Sequence, residues 1–268
     1  MMEHWGAAEI RQKTQAIKRE YRKVVANYYK PIEDFKFDVC QTEKSIVFGI
    51  QDHLVYRIYF YTAAIDELAE LLRKYPGEAT IDILARGCDD FEHLFSKLAQ
   101  AGYGRHAVFQ RYHIPNLRQG IYSKIPEDLR GLDTKCYGRY AAEEEAEEIL
   151  RMLQDTFDPK ESHLQDLQEL KRMIQNKNVR VISENDKIVT LITFWQEGKK
   201  LYVEHAINTG RREYMHCLYL STLENALSEG INYVYTWISS VNERIRRFIS
   251  RFGYEKEDVV DYIYVKGE

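Results

Sequence analysis

The order of patterns between residues 201 and 265 constrains this chain more than any single residue. A β-branched and aromatic run at 201–207 enters a short polar loop, Asn208 to Glu213. A helical run follows and stops at Glu229-Gly230, where glycine tolerates the positive φ of a helix end. A second strand-like run at 233–238 leads to a helix opened by Asn242 and closed by Phe252-Gly253-Tyr254. A last strand at 259–265 completes an α/β series.

The earlier sequence repeats this grammar. A helical stretch at 7–29, with Ile10, Ile17, Val24 and Tyr28 as its buried stripe, ends before Pro31, because proline cannot continue a helix. Strands are expected at 35–40, 45–50 and 55–61, with Asp52-His53 as a hairpin turn. A helix (64–75), a strand (80–84), a helix (91–101) and a strand (106–113) follow. Residues 115–135 read as a linker, with two of the five prolines and several turn residues. After it come a short strand near 136–140, helices at 143–157 and 164–174, and strands at 179–183, 188–195 and 201–207.

A shift of 151 places Gly102-Tyr103 on Gly253-Tyr254 and Leu94, Leu98 and Ala101 on Ile245, Ile249 and Phe252. The same shift lays Leu68, Ala69, Leu72 and Tyr75 on Tyr219, Leu220, Leu223 and Ala226. One register that aligns two helices and a turn points to a duplicated architecture. The expected domains are 1–114 and 136–268, joined by the linker at 115–135. The halves differ in one place: Tyr61 to Tyr103 spans 42 positions, whereas Ile207 to Tyr254 spans 47. The extra residues fall at Asn208–Glu213, and the first half has only Thr62-Ala63 there.

Bulk properties exclude more than they assign. The chain has 268 residues and a net charge of −4, which gives no global reason for nucleic-acid or membrane binding. No apolar stretch approaches the ~18 residues of a membrane span, and the N-terminus lacks the pattern of a signal peptide. Cys40, Cys88, Cys136 and Cys217 form no CxxC pair, so neither a disulfide framework nor a metal site is expected. A reduced, cytoplasmic protein is the expectation.

Strand, phosphate-sized loop, helix, strand, Asn-led helix, Gly-aromatic and strand together resemble the GNAT superfamily of N-acyltransferases. The resemblance implies two GNAT-like mixed-sheet units with flanking helices, the N-terminal one degenerate. The C-terminal unit would carry the splayed-strand cleft for an acyl donor, acetyl-CoA or another acyl-CoA, with a small-molecule or peptide amine as acceptor. Ile207, Asn208, Thr209, Gly210, Arg211, Arg212, Met215 and His216 would then border the donor, where amides at a helix start hold a pyrophosphate. Trp237 would line the facing strand, or simply be core. Asn242 would guide the pantetheine arm, or simply cap its helix. The loop departs from the family pattern in having one glycine and in placing Glu213 beside the phosphates.

An amine acceptor arrives as an ammonium ion and must lose a proton before attack. Glu204 and His205, next to each other on one strand, are the candidate bases. Strict alternation would set them on opposite faces, with His205 beside Leu201, Val203 and Ile207 as a structural histidine and Glu204 toward the cleft. The family's proton donor, a tyrosine seven residues after the asparagine, is Ile249 here, so Tyr214, Ser239 and Ser240 are the alternatives. A second reading is an aminoacyl-tRNA-dependent transferase of the Fem type, which also has paired GNAT-like halves. A third is a non-catalytic GNAT-like binding protein.

Overall fold

The computed structural model describes residues 2–27, 35–87, 91–119 and 138–267. The chain forms two compact units that do not follow chain order. The first comprises Met1–Val108, Pro159–Glu161 and Val259–Glu268, and the second Phe109–Asp158 and Ser162–Asp258. Sequence reading assigned 259–268 to the second domain; here that segment belongs to the first unit. Of the expected linker, 120–135 lies outside the described residues. Leu117 is fully buried and donates its N–H to Asn232 O at 2.8 Å, so the linker's start is built into the second unit.

The first unit begins with β1 (Glu3–Gly6), α1 (Ala7–Glu20) and β2 (Val25–Ala26). A three-stranded antiparallel meander follows: β3 (Lys36–Gln41), β4 (Ser45–Asp52) and β5 (Val55–Thr62). Then come α2 (Ile65–Arg73), β6 (Thr80–Arg86), α3 (Glu92–Gln100) and the start of β7 (Tyr103–Ile114). Burial drives the arrangement. Leu68, Leu71 and Leu72 of α2 and Leu94 and Leu98 of α3 pack with Ile58, Phe60, Ile81 and Ile83 of the sheet. Ile10 and Ile17 of α1 pack with Phe37, Val39, Ile46 and Phe48.

The expected helix at 7–29 stops at Glu20, because the chain beyond it finds better partners in the sheet. Val25 and Ala26 pair with Thr62 and Tyr61 of β5. Since β4 already occupies the other edge of β5 along its whole length, β2 lies on the edge that faces β6. There β5 and β6 run parallel and pair only at Arg57 and Thr80. Buried Asn27 extends the plug: its Nδ2 donates to Ile58 O at 2.9 Å, and its Oδ1 accepts from Phe60 N at 2.7 Å.

The second unit contains β8 (Arg139–Tyr140), a 3₁₀ turn (Glu143–Glu145), α4 (Ala146–Thr156) and α5 (Leu167–Gln175). A meander of β9 (Val179–Glu184), β10 (Lys187–Glu197) and β11 (Lys200–Asn208) follows, then α6 (Arg212–Ser228), β12 (Tyr233–Ser239), α7 (Glu243–Ser250) and the start of β13 (Glu255–Lys266). Ala146, Ile149 and Leu153 of α4 and Leu170, Met173 and Ile174 of α5 cover one sheet face. On the other face, α6 buries Leu218, Tyr219 and Leu223 with Ile192, Leu201, Val203, Val234 and Ile238. Helix α6 is buried nearly all round its first three turns, which explains why its sequence shows no polar stripe.

Each unit takes a strand from the other half of the sequence. Val259–Val265 of β13 pairs antiparallel with β6 in the first unit, and Phe109–Ile114 of β7 pairs antiparallel with β12 in the second. Among the described residues, no helix is long and apolar enough to cross a membrane.

Candidate active site

β11 and β12 of the second unit are parallel and pair through three residues only: Lys200 with Tyr233, Leu201 with Val234 and Tyr202 with Tyr235. Beyond Tyr202 the strands part, the splayed arrangement that the resemblance implies, and they do so inside the run 201–207. Among the described residues no strand pairs with this edge of β11 from Val203 to Asn208. The first unit has a comparable fork, but there β2 and Asn27 fill it.

A bulge shapes the open edge. Along the β10–β11 pair, Thr193 lies opposite His205 and Phe194 opposite Val203, so Glu204 is the extra residue. A bulge breaks strict alternation, and the faces change across it. Leu201 and Val203 pack under α6, whereas Ile207 packs under α4 and α5. The expectation that Glu204 and His205 face opposite sides is therefore corrected: both side chains lie on the α4–α5 side. His205 Nδ1 stands 3.6 Å from Glu204 Oε2, and its ring lies 4.6 Å from that of Phe157.

Glu204 is nearly buried and held on one oxygen. The Trp195 indole N–H and the Gln165 amide both donate to Oε2 at 2.8 Å, which leaves Oε1 as the oxygen that can take a proton. Burial pushes this carboxyl up to about 7, against the opposing pull of the Trp195 hydrogen bond, the His163 charge and the Gln165 hydrogen bond. Burial pushes His205 down to about 4, so its ring is neutral. The Thr193 hydroxyl bridges the His205 backbone N–H at 3.2 Å and Nδ1 at 3.1 Å. His205 is thus a packed, hydrogen-bonded core residue.

The loop after β11 is tied to the protein. Thr209 N and Gly210 N donate to Val189 O at 2.8 and 3.2 Å, and Thr209 Oγ1 also donates to it. Asn208 Oδ1 accepts from Thr190 Oγ1 and Gly210 N, while its Nδ2 donates to Arg211 O. A Cβ on Gly210 would meet Val189 and Tyr214 at 3.0 Å, so packing accounts for that glycine. The amides of Thr209 and Gly210 are thus engaged before any phosphate arrives. What faces outward is the start of α6, with Arg211, Arg212 and Glu213 exposed. Arg211 Nε lies 3.5 Å from Glu184 Oε1.

The remaining candidates separate. Tyr214 donates its hydroxyl to Glu184, and that bond is the main reason its pKa is raised. The side chains of Ile207 and Met215 are core. His216 is buried, with Nδ1 3.0 Å from Arg212 O and Nε2 3.2 Å from the Arg251 guanidinium, so both ring nitrogens are engaged within the protein. Asn242 caps α7, its Oδ1 accepting from Ile245 N at 3.1 Å. Trp237 lies on the α4–α5 side, with the Arg111 guanidinium 5.6 Å from its ring. Sequence reading missed Trp195, Gln165 and Thr193, which only strand pairing and tertiary packing bring to Glu204 and His205.

Parted parallel strands, a bulge at the fork and a helix start facing the parted end define one known architecture. The chain has the GNAT fold. It is similar to a GCN5-related N-acetyltransferase from Sphaerobacter thermophilus (TM-score 0.57, 11% identity, covering 83% of this chain and 76% of that one). It is also similar to a tandem GNAT protein from the clavulanic acid biosynthesis pathway (TM-score 0.56, 12% identity, 100% and 99% covered). A GNAT-family acetyltransferase from Colwellia psychrerythraea matches with a TM-score of 0.53 at 10% identity over 99% and 100% of the two chains. No family model and no curated protein matches the sequence. At these identities the likeness establishes the GNAT fold and leaves the chemistry to the site.

Proposed function

We propose that this chain is a tandem GNAT-like N-acyltransferase whose second unit moves an acyl group from an acyl-CoA, acetyl-CoA first among them, to an amine. The observation that carries this reading is a proton-accepting carboxyl, raised to about 7, on the bulge beside an open fork. The thioester would enter between β11 and β12, where the unpaired edge of β11 offers backbone hydrogen bonds to the pantetheine amides. The pyrophosphate would meet the first amides of α6, where the helix dipole favours an anion, with Arg211 and Arg212 adding charge. The internal bonds of Thr209 and Gly210 shift that contact one step toward the helix from the loop.

The chemistry then balances. Glu204 Oε1 takes a proton from the acceptor's ammonium, the freed amine nitrogen attacks the thioester carbonyl, and the C–S bond breaks as the C–N bond forms. Coenzyme A leaves as its thiolate, whose thiol pKa of about 8.5 makes it a good leaving group, and the second proton lost by the nitrogen passes through solvent to that thiolate, so that amide and free thiol are the products. Tyr214, engaged with Glu184, is not placed to serve it, and we assign no proton donor. The first unit serves as a structural partner, because its own fork is occupied by β2. The buried cysteines Cys40 and Cys217, neither in a disulfide, fit a reducing cytoplasm.

Thermal denaturation with acetyl-CoA and longer acyl-CoAs tests the reading. A donor at 100 times its dissociation constant adds about 2.7 kcal/mol. No stabilisation and no binding by calorimetry would discard the coenzyme A reading in favour of an aminoacyl-tRNA donor or a purely binding role.

A further inference from the structure

A row of rings crosses four strands of the second unit on the face that carries Glu204. Trp195 on β10 lies directly opposite Tyr202 on β11, Tyr202 opposite Tyr235 on β12, and Tyr235 opposite His113 on β7. Tyr202 and Tyr235 stack with centroids 5.0 Å apart and planes 14° apart. Tyr233 joins the row 5.9 Å from Tyr235 and stacks on His113 at 5.4 Å. Alternation explains the placement: Val234 and Ile238 are buried under α6, so Tyr233, Tyr235 and Trp237 point the other way. Tyr202, Tyr233, Tyr235, Trp237 and His113 are only partly buried and, among the described residues, are not members of the unit's core clusters.

The position of the row is informative. Tyr202–Tyr235 is the last pair before the strands part, and Glu204 follows two residues later, tied to Trp195 at the end of the row. An amine with its nitrogen at Glu204 Oε1 lays its substituent on these rings. The charge at the far end is already cancelled. Arg111, over the Tyr235 and Trp237 rings at 5.7 and 5.6 Å, is clamped by both oxygens of Glu257 at 2.6 and 2.5 Å. Tyr233 donates to the same carboxylate at 2.9 Å. That pairing engages the Arg111 guanidinium within the protein, so it does not stand ready to recognise an acidic group on the acceptor.

We propose that the acceptor is an arylalkylamine: a primary amine joined by a short linker to an uncharged aromatic ring that stacks on the Tyr202–Tyr235 row. Adjacent strands lie about 4.8 Å apart, a distance that a linker of about two carbons spans between ring and nitrogen. The proposal rests on the acyltransferase reading of the same fork and names its substrate class. Ring stacking beyond simple burial contributes up to about tenfold in affinity.

The test uses the full chain at pH 8 and follows the change in tryptophan fluorescence, two of the three tryptophans, Trp195 and Trp237, lying on this face. It titrates phenethylamine, n-butylamine and phenylalanine in turn, without donor. Saturable binding of phenethylamine about tenfold tighter than either competitor is the expected result. Tyr202→Ala should weaken it by about tenfold, and Tyr202→Phe should restore it. Butylamine or phenylalanine binding as tightly, or no saturable binding of phenethylamine, overturns the proposal. So does unchanged affinity in a folded Tyr202→Ala; if that variant does not fold, the ratio among the three amines on the parent chain decides. The same amines with acetyl-CoA, followed by release of free thiol, separate the two readings. Lack of donor binding removes the transferase, whereas acetylation of butylamine in preference to phenethylamine leaves the transferase and removes the aromatic acceptor.

Discussion

Glu204 shows how one residue's environment ties stability to pH. Its folded pKa of about 7 lies above the unfolded value of 4.5. Between those values the native state keeps a proton that the unfolded chain has released, so this group's contribution to stability declines as pH rises through that window. The total is about 3 kcal/mol, on the order of 1.4 kcal/mol for each pH unit. Glu204→Gln removes the charge while its amide oxygen still accepts from Trp195 and Gln165. We therefore expect the variant to be more stable than the parent at pH 8 and closer to it near pH 5, measured by thermal melts. Turnover should fall by roughly 10²–10⁴-fold, and the acid limb of the parent's kcat/KM profile, near pH 7, should vanish. Parent-like turnover in Glu204→Gln would remove it as the base. The residue type was legible in the sequence as a candidate. Its partners were not, because Trp195 and Gln165 reach it only through strand pairing and packing, and the face that changes is that of His205, which the bulge turns to the α4–α5 side.

At the scale of elements, β2 decides which fork is open. The apolar spacing of Ile10, Ile17 and Val24 suggested one long helix, yet a short pattern of this kind fits a helix followed by a strand equally well. What settles the matter is the vacant edge of β5, which supplies hydrogen-bond partners to Val25, Ala26 and Asn27. Asn27→Ala leaves the Ile58 carbonyl and Phe60 amide unpaired in the interior. Each such group costs about 1–3 kcal/mol, so we expect a loss of about 2–6 kcal/mol in urea denaturation. A change below about 0.5 kcal/mol, the scale of ordinary surface substitutions, would show that β2 does not hold the fork closed. The other elements followed the sequence to within a few residues where long periodic runs or Gly-marked ends signalled them, as at Gly102, Gly230 and Gly253, all with positive φ.

For the whole molecule, the exchange of last strands makes the two units interdependent in sequence. Ending the chain after Asp258 removes the strand that pairs with β6, although those residues follow the second unit's last helix. Hydrogen exchange should then rise first in Thr80–Arg86 of the first unit, while Val234–Ser239, paired with β7, stays protected longer. Domains laid out in chain order give the opposite result, with loss of protection centred on β12. Either outcome is readable peptide by peptide.

The sequence by itself determined the kinds and order of elements, including the strand, loop, helix and strand series of 201–265. Those features are local: periodicity, turn residues and loop length are written within a few residues of where they act. Tertiary structure alone decided which edge each final strand joins, that β2 fills one fork and leaves the other open, and that Glu204, Trp195, Gln165 and the Tyr202–Tyr235 row share one face. Each of these depends on pairing between residues far apart in the chain. A strand's own alternation does not specify its partner, and a one-residue bulge reverses the face of everything beyond it.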